Sequence, residues 1–370
     1  MRGRERAYRA PGAAVVIPGG LVRSRAALVL GAILLTAVGC GSFSEAVRLP
    51  PAPTTTTSAA PEPPPPPPVV WPLTGVASAA GDDLDRPALA VKIENSVDAR
   101  PQTGLGHADM VWEEVVEGGI ARYLAVYHST VPPEIGPVRS VRPMDAAIAA
   151  PLHGLFAFSG GQPDFVAAVR AADLQVLSND EGVDGFYRVT SRAAPHNVYA
   201  DPRVFVELAD ADHGTPPAAQ FDMASAGEQP TAVAAGTPAS AVRVSLSNLS
   251  SPLWSWKKSA GAWVRSEGST PAVEADDSRL RATNVVVLRV DVVQTDYVDP
   301  AGNPVPETVM VGDGDALVAT AGHTLEVHWS KASPDAPVIL SAPSGGPVRL
   351  APGTTWIELA PTAAGPVTVR

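Results

Sequence analysis

The stretch Asp109–Ser129, "DMVWEEVVEGGIARYLAVYHS", decides how the first half of this chain is read. Two strand-like runs rich in Val, Tyr and Trp flank Gly118-Gly119, a hairpin signal. Alternation in the first run sets Glu113, Val115 and Glu117 on one face and Glu114 with Val116 on the other. At least one of these acids therefore faces inward and needs a partner.

Upstream, "RPALAVKIEN" (86–95) reads as another strand, with Leu89, Val91 and Ile93 opposite Ala88, Ala90 and Lys92. Downstream, "MDAAIAAPLHG" (144–154) reads as a short helix stopped by Pro151, and "LFAFSGG" (155–161) as a buried strand. Helices follow in "QPDFVAAVRAAD" (162–173), with Pro163 near its start, and in "ADPRVFVELADA" (200–211). Strands and helices interleave, so residues 71–212 are predicted to form an α/β or α+β domain. Residues 213–240 lack periodicity and are rich in Pro, Ala and Gly, which suggests a linker. From 241 to 370 short alternating segments recur between Gly, Pro and Asp turns. That spacing predicts a β-rich domain, a sandwich or a barrel.

The N-terminus sets the compartment. Residues 1–39 carry six arginines and one acid, then the apolar run "AALVLGAILLTAV" (26–38). A basic start and a short apolar run read as a secretory signal peptide. "TAVGC" resembles a bacterial lipobox, with Cys40, the single cysteine, as the lipidated residue. Residues 40–70 then form a Pro/Thr-rich tether. Two or more acyl chains would hold the chain at the extracytoplasmic face of the cell membrane. The chain carries −11 overall, and removal of residues 1–39 would leave about −16. That balance argues against nucleic-acid binding.

No phosphate loop, dinucleotide fingerprint or HExxH motif is present, so the sequence calls for no cofactor and no metal. "HTLEVH" places His323 and His328 on opposite faces of a strand. "VGDGDA" (311–316) lacks the glutamate of a calcium loop and reads as a turn. "FSGGQ" lacks the first glycine of a nucleophile elbow, so Ser159 reads as a turn or ligand contact.

The arginines remain. Residues 100–200 hold seven arginines and no lysine. Most lie at strand ends and in loops, and the planar guanidinium fork suits carboxylates and phosphates. The ligand-binding candidates are Arg100, Gln102, Arg122, Arg139, Ser140, Arg142, Ser159, Arg188, Arg192 and Asn197. Salt bridges to Asp109, Glu113, Glu114 and Glu117 are the structural alternative. In "EIGPVRSVRPMD" (134–145), a turn between Pro137 and Pro143 is expected to bring Arg139 and Arg142 together. An extended segment would point them apart.

The runs "RPALAVKIENSVDARPQTGLGHADMVWEEVVEGGIARYLAVYHS", "IGPVRSVRP", "FSGGQP", "FYRVTSRAAPHNVY", "NVVVLRV" and "PGTTWIEL" together resemble the YerB-like bacterial lipoprotein family. The resemblance spans residues 72–362 and departs at Gln162. It implies a lipid-anchored envelope protein with an N-terminal α/β-type domain and a C-terminal β-rich domain. It implies no reaction.

Three functions fit these residues. The first is an arginine-lined site for an anionic or polar envelope ligand, such as a cell-wall polymer or an envelope protein. The second is a hydrolase or transferase with His196 as base and Glu114 or Glu117 as acid. The third is a protein–protein scaffold at the membrane surface.

Overall fold

Every residue of Leu89–Glu94, "LAVKIE", is buried, which for a strand means cover on both faces. The computed structural model describes residues 68–370. The expected signal peptide, Cys40 and the expected tether through residue 67 lie outside the described residues.

Ten strands of one large sheet are numbered β1–β10: β1 Leu89–Glu94, β2 Met110–Val115, β3 Ala121–Tyr127, β4 Leu155–Phe158, β5 Gln175–Ser178, β6 Asn284–Val290, β7 Gly312–Thr320, β8 His323–Lys331, β9 Ile339–Ser341 and β10 Thr355–Pro361. Their order is β9-β8-β7-β6-β10-β2-β3-β1-β4-β5, and the short Thr237–Pro238 strand also pairs with β8. The sheet is therefore built from both halves of the chain. Its seam is parallel pairing of β10 with β2, where Met110 meets Thr355 and Glu113 meets Glu358.

The expected hairpin forms between β2 and β3, with Glu114 opposite Arg122. Gly118 and Gly119 take φ of 68° and 75°. This left-handed backbone costs a glycine little and other residues more.

Helices α1 (Asp145–Ala149) and α2 (Pro163–Ala171) cover one face of the sheet. Ile148, Phe165 and Val169 pack there against Ala90, Leu124 and Phe156. A smaller sheet covers the other face, with Ala241–Arg243, Pro252–Lys257 and Ala262–Glu267 at its centre. From it Val242, Trp254 and Trp263 pack against Tyr123, Val285 and Trp356. Helix α3 (Pro202–Glu207) lies on this side through Phe205. The C-terminal half is β-rich.

Residues 213–240 are packed. Phe221, Ala224 and Ala232 are buried, Ala224 N donates to Leu350 O at 2.8 Å, and Thr231 N donates to Arg349 O at 2.9 Å. The segment lacks periodicity because it is held piecewise by other strands.

Trp71 packs edge-on against His128, with ring centroids 5.0 Å apart, and Gly353 N donates to Thr74 O at 2.8 Å. The described chain thus begins at the sheet end formed by Tyr127, Met110 and Thr355. The opposite end is formed by Glu94, Arg122 and Glu114.

Candidate functional site

β1 and β4 pair in parallel over Leu89–Val91 and Leu155–Ala157. Beyond those residues they part, and Val138–Val141 fills the gap. Glu94 N donates to Pro137 O and Arg139 N to Lys92 O, both at 2.9 Å. On the other side Ser159 N donates to Arg139 O at 2.9 Å and Val141 N to Gly160 O at 3.0 Å. A Cβ on Gly161 would lie 2.4 Å from Val141 Cγ1, so the close approach requires glycine. The opening lies at the carboxyl ends of parallel strands that separate, the place where open sheets commonly hold ligands.

The segment is therefore extended, and the helical turn begins only at Pro143. The expected turn between the two prolines is corrected: both flanking ladders hold Val138–Val141 straight. Arg139 and Arg142 consequently take different partners. Arg139 Nε lies 3.4 Å from Glu94 Oε2, and Arg142 Nε lies 2.5 Å from Glu117 Oε1.

Arg122 stands between them. In the strand register it faces Glu94 on one side and Glu114 on the other. Neither acid reaches it as an ion pair. Glu94 turns to Arg139 and His196, whose Nδ1 lies 3.0 Å from Glu94 Oε2. Glu114 turns to Lys92, which also donates to Asp145 at 2.7 Å. Arg122 is only 7% exposed. Its Nη1 donates to Ser140 O at 3.3 Å, and its Nε has no hydrogen-bond partner. Burial first, then the charges of Arg142 and Arg139, pull its pKa down to about 9. Burial and the neighbouring Asp145 raise the Glu114 pKa, which weakens its claim as a counter-charge. Ser140 Oγ and Ser159 Oγ face one another at 3.4 Å beside this group.

The other candidates hold structure around the opening. Gln102 is buried and donates to Glu94 O at 2.9 Å. Arg100 Nε donates to Asn95 Oδ1 at 2.8 Å. Arg192 donates to Asp98 O and Pro101 O at 2.8 and 2.6 Å. Arg188 donates to Asn197 Oδ1 at 2.8 Å on an exposed ribbon. Arg100, Arg192 and His196 also line an open recess with Asp98 and Ser191. The pairing of His196 with Glu114 or Glu117 is not built, because Glu94 holds the imidazole, Lys92 holds Glu114 and Arg142 holds Glu117.

Sequence reasoning missed Glu94, Lys92 and Asp145 as members of this group. The signal was present in "LAVKIE", where a lysine sits on the same face as Ala90 in a run otherwise apolar up to Glu94. Among the described residues, no group of three His, Cys, Asp or Glu side chains is placed to hold a metal.

A wall of the opening comes from the C-terminal half. The ribbon Val292–Val298/Pro304–Thr308 leaves the large sheet after β6. Gln162 Nε2 donates to Val298 O at 2.9 Å, Tyr297 donates to Asp164, and Tyr297 packs on Phe165 at 4.9 Å. Gln162, the departure noted in the sequence, thus fastens the ribbon to the start of α2.

Two family models match this chain, "Protein of unknown function (DUF3048) N-terminal domain" over residues 73–215 and the corresponding C-terminal domain over residues 242–357. The chain belongs to the DUF3048 family. One relative is a Bacillus subtilis (strain 168) protein, YerB, that carries the name of a lipoprotein. The two are 35% identical over 130 residues, which is 35% of this chain and 39% of YerB. The match therefore spans well under two thirds of the relative's length. The crystal structure of YerB from Bacillus subtilis superposes with a TM-score of 0.68 at 22% identity, over 81% of this chain and 99% of the other. That likeness is one of fold.

Proposed function

We propose that this protein binds an anionic group at the end of its large sheet, with Arg122 at the centre and Arg139, Arg142, Ser140 and Ser159 around it. The observation that carries the reading is Arg122 itself, a buried guanidinium with no carboxylate in ion-pair range and two further arginines beside it. Left empty, such a site stores like-charge repulsion and an unmet donor. An incoming carboxylate or phosphate relieves both. In this reading the N-terminal half is an α/β unit that presents its strand ends, and the C-terminal ribbon completes the wall.

The lipobox-like "TAVGC" and the lipoprotein name of the relative support a membrane-anchored envelope protein with acyl chains on Cys40. The described chain starts beside Trp71, five strand steps, or about 17 Å, from the arginine end. The arginines thus open away from the point where the tether joins.

The test is calorimetric titration of residues 65–370, one compact unit, with inorganic phosphate. Saturable binding that disappears in Arg122→Ala, with the fold retained by circular dichroism, supports the reading. No binding by the parent chain, or equal binding by the variant, rejects it.

A further inference from the structure

The arginine group at the sheet end has a cationic neighbour. Asp98, Arg100, Ser191, Arg192 and His196 line one open recess of about 690 Å³. Of these five, one is an acid and three are arginine or histidine. Arg192 is half-buried. Its guanidinium donates to two backbone carbonyls, Asp98 O at 2.8 Å and Pro101 O at 2.6 Å. Arg100 is held in the same way by Asn95, through Oδ1 and O at 2.8 Å each, with Glu267 further out at 3.4 Å. Uncharged acceptors thus fix both forks and leave most of their charge facing the recess.

The recess and the Arg122 group share a wall. His196 lines the recess, and its Nδ1 meets the same Glu94 oxygen that Arg139 Nε meets, at 3.0 and 3.4 Å. Arg139 also crosses to the recess loop, where its Nη1 donates to Pro195 O at 3.4 Å. The next residue, Ser140, offers the carbonyl that Arg122 Nη1 holds. Arg139 therefore spans the distance from the Arg122 group to the loop of the recess. Glu94, the acid in this wall, is 3% exposed and already divided between two cationic side chains, so it turns little negative charge toward a ligand.

A planar carboxylate is satisfied by one guanidinium fork. Each of these two places instead gathers donors from several residues: Arg122, Ser140 and Ser159 at the opening, and Arg100, Ser191 and Arg192 in the recess. Donors converging from several directions suit the tetrahedral oxygens of a phosphate. We infer that the ligand is a phosphate chain, with one phosphate at Arg122, a later one in the recess, and Arg139 between them. The inference rests on the anion-binding reading of Arg122 and adds a second station to it. Two linked contacts bind more tightly than either alone, because the second forms within the complex.

The experiment is calorimetric titration of residues 65–370 with orthophosphate and with linear polyphosphate at fixed ionic strength. The parent chain is expected to bind polyphosphate at least about tenfold more tightly than orthophosphate. Ser191→Asp places a negative charge in the recess, and Arg192→Gln removes a positive one. Each is expected to abolish the advantage of polyphosphate and to leave orthophosphate affinity unchanged. Arg349→Gln makes the same change in net charge beside Glu228, at the end of the sheet where the described chain begins, and is expected to alter neither affinity. The phosphate-chain inference is overturned if polyphosphate binds no more tightly than orthophosphate, or if its advantage survives both recess variants. It is equally overturned if Arg349→Gln removes that advantage, or if the recess variants weaken orthophosphate as much as polyphosphate. In each of these cases orthophosphate binding that depends on Arg122 keeps the anion reading alive. If neither probe binds the parent chain, both fall.

Discussion

Glu113 and Glu358 lie side by side in register on β2 and β10, and the buried guanidinium of Arg265 joins them. Its Nη2 lies 2.7 Å from Glu113 and its Nη1 2.8 Å from Glu358, while Nε reaches Glu267 at 2.8 Å. The rings of Tyr123, Trp254 and Trp356 enclose it at centroid distances of 5.0 to 5.5 Å. One cation thus ties β2, β10 and the smaller sheet at the seam between the two halves. Removing it strands buried acids. Arg265→Ala should cost about 3–5 kcal/mol, seen as a lower urea midpoint in a single transition. A loss confined to a separate C-terminal transition would show that the seam does not couple the halves.

Anion binding should depend on pH through Arg122. Burial and then the charges of Arg142 and Arg139 lower its pKa to about 9, and a bound anion favours the charged form. Affinity for the phosphate dianion should fall by up to about tenfold per unit above pH 9 as binding comes to require proton uptake. Titrations in two buffers of different ionisation heat at pH 9.5 measure that uptake directly. Zero uptake would remove Arg122 from the contact.

Stability should peak on the acid side of neutrality. Burial raises the pKa of Asp109, Glu113 and Glu114, and moves Glu274 from 4.5 to about 6 against the opposing bonds from Gly106 and Gly104. A raised acid binds protons more tightly folded than unfolded, so its contribution is full below the unfolded pKa and is lost as pH rises through the folded one. For Glu274 that window is 4.5 to about 6 and its worth about 2 kcal/mol. His128, whose pKa burial lowers from 6.5, acts in the opposite direction below that pH. The melting temperature should be higher at pH 5.5 than at pH 8. A flat or inverted comparison in scanning calorimetry contradicts this.

Gly161→Ala should disturb the opening without touching a charge. The added methyl would lie 2.4 Å from Val141 Cγ1 and push apart the Val141–Gly160 ladder. An expected loss of about 1–3 kcal/mol, accompanied by weaker phosphate binding, would mark the ladder as the frame of the arginines. Unchanged binding would free the site from that frame.

Much of the fold was legible because both strands and helices carry their own periodicity. The β2–β3 hairpin could be read from Gly118-Gly119, and α2 from Pro163 and its apolar spacing. The shared sheet could not, because parallel pairing of β2 with β10 leaves no local mark in "MVWEEV" or "TWIELAP". The inward acid expected in "WEEVVEGG" proved to be both Glu113 and Glu114, one on each face, since both faces are covered. The arginines could be counted, but their partners could not. Which acid Arg139 or Arg142 meets depends on how β1 and β4 part, and that is a property of the assembled sheet.

The place of β10 in the sheet orders events in time. Thr355 pairs with Met110 across 245 positions of chain, and β10 also fills the slot beside β6. Until residues 355–361 arrive, β2 and β6 are open edges with apolar flanks, the kind that recruit other chains. Pairing so distant in sequence forms slowly. In a chain delivered N-terminus first, β2 and β6 therefore wait for residues 355–361, and the earlier strands depend on protection from aggregation until that central strand closes the sheet.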